Sequence, residues 1–302
     1  MTSRGSNGHG RVQVGIAPIG WTNDDWPELG GEIPLERCLA EMAEAGYEGC
    51  ELGGKFPRDA GQLRALLAPL GLSLASGWLS LWFTDDGRAE ETVDAYRAHC
   101  SFLREMGAAV VVVCECGASV QQQALPVSDA RPRYDERQWG MLVDGLHRIG
   151  EIAREEGMTN VYHPHMGTGV QTAEEIDRLM SDTDPALVSL LLDTGHATFD
   201  GHDPRDVIRA HSARIRHVHL KDVRGAVAAE ARRDRWSFER AVRAGVFTVP
   251  GDGDVDMRGV LADLTSADYA GWLVVEAEQD PRLAPPLQFA TMGREFLRTV
   301  GL

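Results

Sequence analysis

Residues 108–115 read AAVVVVCE, a near-continuous run of β-branched and small apolar residues. Such a run marks a strand buried on both faces, as parallel strands under helical cover are, rather than a half-solvated antiparallel one. The flanking sequence continues the pattern. Upstream it predicts strands over 12–19, 47–52 and 72–79, alternating with helices over 35–45, 60–70 and 88–106. Downstream, after a loop over 117–134 and a long helix over 136–156, it predicts strands over 160–165, 188–193, 215–221 and 272–276. Helices are expected over 173–180, 204–211, 257–264 and 287–300, with a loop-plus-helix segment ending near Ala244. Alternating units at a spacing of about 30 residues predict an α/β fold, a single (β/α)8 TIM barrel. No G-x-G-x-x-G follows the first strand, which argues against an open doubly wound sheet. The barrel is expected to span residues 11–302, after a polar flexible tail at residues 1–10, MTSRGSNGHG.

Composition narrows the function. Of 302 residues, 43% are apolar and 25% charged, which is ordinary globular usage. The formal net charge of −16 opposes nucleic acid as a partner, because such binding relies on Lys and Arg neutralising phosphates. No apolar run nears the ~20 residues of a membrane span, and the first ten residues lack a signal peptide's apolar core. A cytoplasmic chain without a membrane partner is the expectation, with homo-oligomerisation left open. The five cysteines (Cys38, Cys50, Cys100, Cys114, Cys116) show no framework spacing and read as reduced thiols.

In such barrels the chemistry sits at the C-terminal ends of the strands. Here those ends read CECG (Glu115), VYHPHMG (His163, His165), LLLDTGH (Asp193, His196), RHVHLKD (His217, His219, Asp222) and LVVEAEQ (Glu276, Glu278). Strand alternation gives the two members of each His or Glu pair one parity, so several strands can aim polar groups into one mouth. Unpaired Asp, Glu and His cannot stay charged in a closed pocket, and a divalent cation satisfies them together. The mixture contains no thiolate, which suits Mn²⁺, Co²⁺, Mg²⁺ or Zn²⁺. Cys114 and Cys116 flank Glu115; with Glu115 inward, both thiols would point outward as small buried hydrophobes. Lys55, after Gly53 and Gly54 at a strand end, reads as a mouth-lining residue or a solvated surface lysine. Trp78 and Trp82, near the third strand end, either wall a pocket or pack, with packing preferred, and VPGDGDVD at 249–256 is expected to form a tight turn rather than a calcium loop.

These motifs resemble the xylose-isomerase-like superfamily of barrels, which includes sugar epimerases, inosose-pathway isomerases and endonuclease IV-type enzymes. The resemblance implies a metal held by Glu, Asp, His and Glu from the fifth to eighth strands. Asp193, His219 and Glu276 fall on the last three positions. The fifth-strand position departs, with His163 where those epimerases carry Glu. The fourth ligand is thus open among His163, His165 and Glu115, and one of the two carboxylates that epimerases use to move protons is missing. Within the superfamily the chain is similar to the inosose dehydratases of myo-inositol catabolism, from about Val14 to Thr299. The similarity rests on GIAPIGWTNDDWPELGG, YEGCELGGKFPRD, SGWLSLWF, YHPHMGT, LLDTGHATFDGHDP, RHVHLKDVR, VPGDGDVDM and WLVVEAEQDP, in order.

That resemblance implies a cyclic polyol ketone as substrate: dehydration of 2-keto-myo-inositol (scyllo-inosose) to a trihydroxycyclohexane-1,2-dione. It also implies Mn²⁺ or Co²⁺ and a glutathione requirement. The expected metal ligands are His163, Asp193, His219 and Glu276. His196, Lys55 and Lys221 are expected to move protons or bind hydroxyls, and His165 to serve as ligand or acid. The rival expectation is a metal-dependent sugar or inosose isomerase or epimerase on the same barrel, which begins with the same α-proton removal. A metal-dependent abasic-site nuclease is opposed by the acidic charge, and a polyol-sensing barrel would carry no metal.

Overall fold

The computed structural model describes residues 11–302; the tail expected at residues 1–10 lies outside them. Eight strands form the barrel: β1 (Val12–Ile16), β2 (Gly49–Leu52), β3 (Ser73–Leu81), β4 (Val110–Glu115), β5 (Thr159–Tyr162), β6 (Ser189–Asp193), β7 (Ile215–Leu220) and β8 (Gly271–Val275). Each pairs in parallel with its chain neighbours, and β8 pairs with β1 through Val14 and Leu273 to close the ring. The predicted α/β barrel is the observed one.

Both faces of the strands are apolar, as the opening run of sequence demands. Val110, Val112, Val161 and Leu191 pack with Trp78 inside the barrel. Residues of the other parity, among them Val111, Val113, Leu190, Leu192, Val218 and Leu220, pack outward in the main core. The covering helices begin where the sequence supplies caps. Asp135 and Gln138 form a capping box at the start of Glu136–Glu155, which buries Trp139, Leu142, Leu146 and Ile149 along one stripe. Thr172 and Glu175 do the same for Ala173–Asp182.

Two strand ends fall short of expectation and one helix was not expected, each for a local reason. β1 stops at Ile16 because Pro18 opens a 3₁₀ turn at Pro18–Gly20. β5 stops at Tyr162, ahead of Pro164, which has no N–H to give; His163 N still donates to Val113 O at 2.8 Å. An unforeseen helix, Thr194–Asp200, follows β6, capped by the Asp193 side chain.

The expected orientation of β4 is corrected. Val110 and Val112 are interior, so Cys114 shares the inward parity and Glu115 points away. Glu115 accepts hydrogen bonds from Phe83 N (2.9 Å), Thr84 Oγ1 (2.9 Å) and Gly117 N (3.0 Å), tying the loops after β3 and β4 together.

Between β7 and β8 the chain adds helices Gly225–Arg233 and Phe238–Arg243 and an antiparallel ribbon of Asp222–Val223 with Phe247–Thr248. Their apolar residues join Trp26, Leu29, Val127, Met166 and Phe199 in a second core that covers one side of the barrel mouth. The acidic turn at 249–256 is structural, as expected. Asp222 accepts from Gly251 N and Val255 N, Asp254 from Gly225 N, and Asp256 caps Met257–Ser266. No described helix is long and apolar enough to cross a membrane.

Candidate active site

At the C-terminal ends of β5 to β8, His163, Asp193, His219 and Glu276 bring one ligand atom each within 4.8 Å of one another. Their neighbours turn those atoms inward. His163 Nδ1 lies 2.7 Å from Pro164 O, so that nitrogen carries the proton and donates it, leaving the Nε2 lone pair 3.5 Å from Asp193 Oδ2. Asp193 Oδ1 accepts from Gly195 N and His196 N, both at 2.8 Å, which leaves Oδ2 for the cluster. His219 Nε2 lies 3.2 Å from Glu51 Oε1, which leaves Nδ1 facing Glu276 Oε2 (2.7 Å) and Asp193 Oδ2 (3.5 Å).

Asp193 Oδ2, His219 Nδ1 and Glu276 Oε2 are buried without a hydrogen bond from any described residue. Buried polar atoms crowded together without well-formed hydrogen bonds are costly, and a cation between them removes the cost. Glu276 and Glu51 outweigh burial and hold His219 well above the usual histidine range, so the field of the cluster favours positive charge at its centre. Burial works against ionised Glu276, but His219 and Lys221 hold its carboxyl down at about 2. Asp193 is likewise held well below the usual range, by Lys221 and His196 against burial. The residues present therefore fit a divalent ion.

Glu51, at the end of β2, was not among the expected site residues. It anchors the site from beneath, meeting His217 Nε2 at 2.8 Å, His219 Nε2 at 3.2 Å and the Ser76 hydroxyl. The signal for it was its place at a strand end, in CELGG.

A second group lies beside the first. Lys221 is fully buried, with Nζ 2.9 Å from Glu278, 3.0 Å from His196 Nε2, 3.3 Å from Glu276 and 3.4 Å from Asp193. Burial opposes its charge, but Asp193, Glu276 and Glu278 more than compensate and hold it protonated. Burial lifts the Glu278 carboxyl to about 7 against the pull of Lys221. His165, His196 and Glu278 converge as a further triad. Burial and His163 depress His165 to about 3, and burial and Lys221 depress His196 well below its ordinary value. Phe238 sits 5.5 Å from the His165 ring and 5.8 Å from that of His196, and so keeps this side apolar.

A cavity of about 220 Å³ opens onto both groups. Its lining includes Glu51, Trp78, His163, His165, His219, Glu276 and Glu278. Trp78 walls it, with its ring 5.5 Å from His163 and 5.6 Å from His165, whereas Trp82 packs under Arg88 at 4.4 Å. His196 and Lys221 stand behind this lining rather than in it. Two expected candidates are not brought in. Lys55 is exposed and donates to Gly31 O (2.8 Å) and Ile33 O (2.6 Å), holding the loop after β1. Glu115 is occupied by the backbone groups already described, leaving His163 beside Asp193, His219 and Glu276.

Barrel and strand-end cluster together define a class, and sequence comparison agrees: the chain belongs to the xylose isomerase-like TIM barrel family, whose model matches residues 39–300. Relatives that it matches along nearly its whole length include inosose dehydratases. It is 55% identical over 294 residues to the inosose dehydratase of Geobacillus thermodenitrificans (strain NG80-2), which covers 97% of this chain and 98% of that one. It is 49% identical over 288 residues to that of Bacillus thuringiensis (strain Al Hakam), at 95% and 96% coverage. Among solved structures, L-ribulose 3-epimerase aligns with a TM-score of 0.70 at 20% identity, covering 96% of this chain and 94% of that one. The probable 3-DHS dehydratase AsbF of Bacillus anthracis aligns with a TM-score of 0.70 at 15% identity, covering 95% and 98%. At those identities the two structures speak to the fold alone.

Proposed function

We propose that this protein is a metal-dependent hydro-lyase that dehydrates 2-keto-myo-inositol (scyllo-inosose) to a trihydroxycyclohexane-1,2-dione in the cytoplasm, with Mn²⁺ or Co²⁺ as its ion. The observation that carries this reading is the set of lone pairs on His163, Asp193, His219 and Glu276, oriented by their neighbours toward one centre, in a chain 55% identical to a protein named inosose dehydratase. When bound there, a divalent ion supplies Lewis-acid polarisation of the ketone and stabilises the developing enolate by several kcal/mol.

The chain supplies the rest. Elimination needs a base at the carbon beside the ketone and an acid at the β-hydroxyl, each contributing about 10²–10⁴-fold. His165 and Glu278 line the cavity and carry these two proton transfers. His165 Nδ1 donates to Met166 O (3.0 Å), which leaves Nε2 free to take or share a substrate proton. Lys221 and His196 act from behind: Lys221 balances the three carboxylates around it and fixes the Glu278 carboxyl. The apolar cover of Phe238 and Phe247 keeps water from this side of the site.

The product decides between this reading and isomerisation. With scyllo-inosose and Mn²⁺, the protein is expected to give a dione, identified by NMR and by its absorbance. An isomeric inosose without dione would replace the lyase reading with the epimerase one. Glutathione enters by resemblance alone, and turnover with and without it decides that requirement.

A further inference from the structure

The mouth of the cavity carries polar groups that neither the ligand cluster nor the proton-moving group uses. Asp25, from the loop after β1, and Gln121 and Gln122, from the loop after β4, all line it. Gln122 Nε2 donates to Asp25 Oδ1 at 2.6 Å. Because β2 and β3 stand between β1 and β4 in the barrel, this bond straps two non-adjacent loops across the opening.

Both loops are held from within. Asn23 Oδ1 accepts from Asp25 N (2.8 Å) and Trp26 N (2.9 Å), and Val120 N donates to Gly167 O (2.9 Å). Gln121 is only 9% exposed, yet its Oε1 has no hydrogen-bond partner among the described residues. A buried amide left unsatisfied beside a cavity is a group waiting for a ligand. Among the described residues Asp25 Oδ2 and the Gln122 amide oxygen accept no hydrogen bond, so the three side chains together offer carboxylate acceptors, amide acceptors and amide donors. Vicinal hydroxyls, each both donor and acceptor, are the chemistry that such a set reads.

We propose that Asp25, Gln121 and Gln122 form a hydroxyl-reading rim that restricts this site to polyhydroxylated rings, gripping the hydroxyls remote from the ketone. The inference rests on the inosose reading for its substrate but not for its binding test. That test uses myo-inositol, a polyol with no ketone to dehydrate. Calorimetry would give its Kd for the full-length Mn²⁺-loaded protein and for the Asp25→Ala, Gln121→Leu and Gln122→Ala variants, alongside KM and kcat for scyllo-inosose and the Kd for Mn²⁺. Gln122 is exposed, so its variant tests the idea even if the buried Gln121→Leu misfolds.

Loss of a hydrogen bond to a hydroxyl should weaken polyol binding and raise KM roughly 10-fold or more, well beyond any fall in kcat, with Mn²⁺ affinity retained. Polyol Kd and KM within twofold of the parent would overturn the proposal, as would parallel loss of Mn²⁺ binding or a parent protein that binds no polyol. A parent that binds myo-inositol through this rim but does not turn over scyllo-inosose would sink the dehydratase reading and leave the rim standing.

Discussion

Asp193 shows how much one side chain does here. One oxygen caps the helix that carries His196, and the other faces the cluster. Replacement by Ala should remove bound Mn²⁺ and turnover together; metal analysis and a dione assay on the same preparation check this. Glu51 makes a subtler case. It holds the His219 ring so that Nδ1 faces inward, the arrangement in which a carboxylate orients a ligating imidazole. Glu51→Gln keeps the shape but removes the charge and replaces one of the two accepting oxygens facing His219 by an NH₂ group, and should weaken Mn²⁺ affinity about 10–100-fold, as measured by competition with a chelating dye. Unchanged affinity would reduce Glu51 to a packing residue. The four central residues were legible because each sits at or just past a strand end in a distinctive context. Glu51 was not, because nothing in CELGG separates an anchor from a buried strand residue. Lys55 misled for the same reason: a strand-end lysine looks alike whether it faces substrate or, as here, loop carbonyls.

At the scale of elements, β4 marks a limit of sequence reading. All six of its residues are buried, so no alternation reveals which side is inward, and the condition of an inward Glu115 is not met, because register with β3 and β5 turns it away. Thr194–Asp200 was missed because seven residues rich in Thr, Gly and Asp carry no helical periodicity; only the Asp193 cap announces it. The helix Glu136–Glu155, by contrast, was expected over 136–156, and it permits a paired prediction. A Cβ on Gly145 would lie 2.3 Å from the Phe83 ring, whereas one on Gly140 meets nothing within 4 Å. Gly140→Ala should be neutral or stabilise by up to about 1 kcal/mol through helix propensity. Gly145→Ala should destabilise by about 1–3 kcal/mol, since overpacking outweighs that gain. Urea midpoints of the two variants measure the contrast, and equal midpoints would mean that the Phe83 side yields freely.

Over the whole molecule, an alternating pattern spread through 302 residues sufficed for the barrel, because eight repeats of one unit leave little else to build. The apolar cover between β7 and β8 was not legible, since helices Gly225–Arg233 and Phe238–Arg243 pack on loops distant in sequence. A site of mutually facing acceptors also couples metal to global stability. Mn²⁺ at 100 times its Kd should stabilise the folded chain by about 2.7 kcal/mol, raising Tm by several degrees, and Asp193→Ala should lose that response. The central claim is that His163, Asp193, His219 and Glu276 hold the ion on which dehydration depends. Its most direct test strips the protein with a chelator and follows dione formation from scyllo-inosose as Mn²⁺ is titrated back. The account predicts no turnover at zero metal and activity that saturates at one ion per chain. Full turnover by the metal-free protein would contradict it.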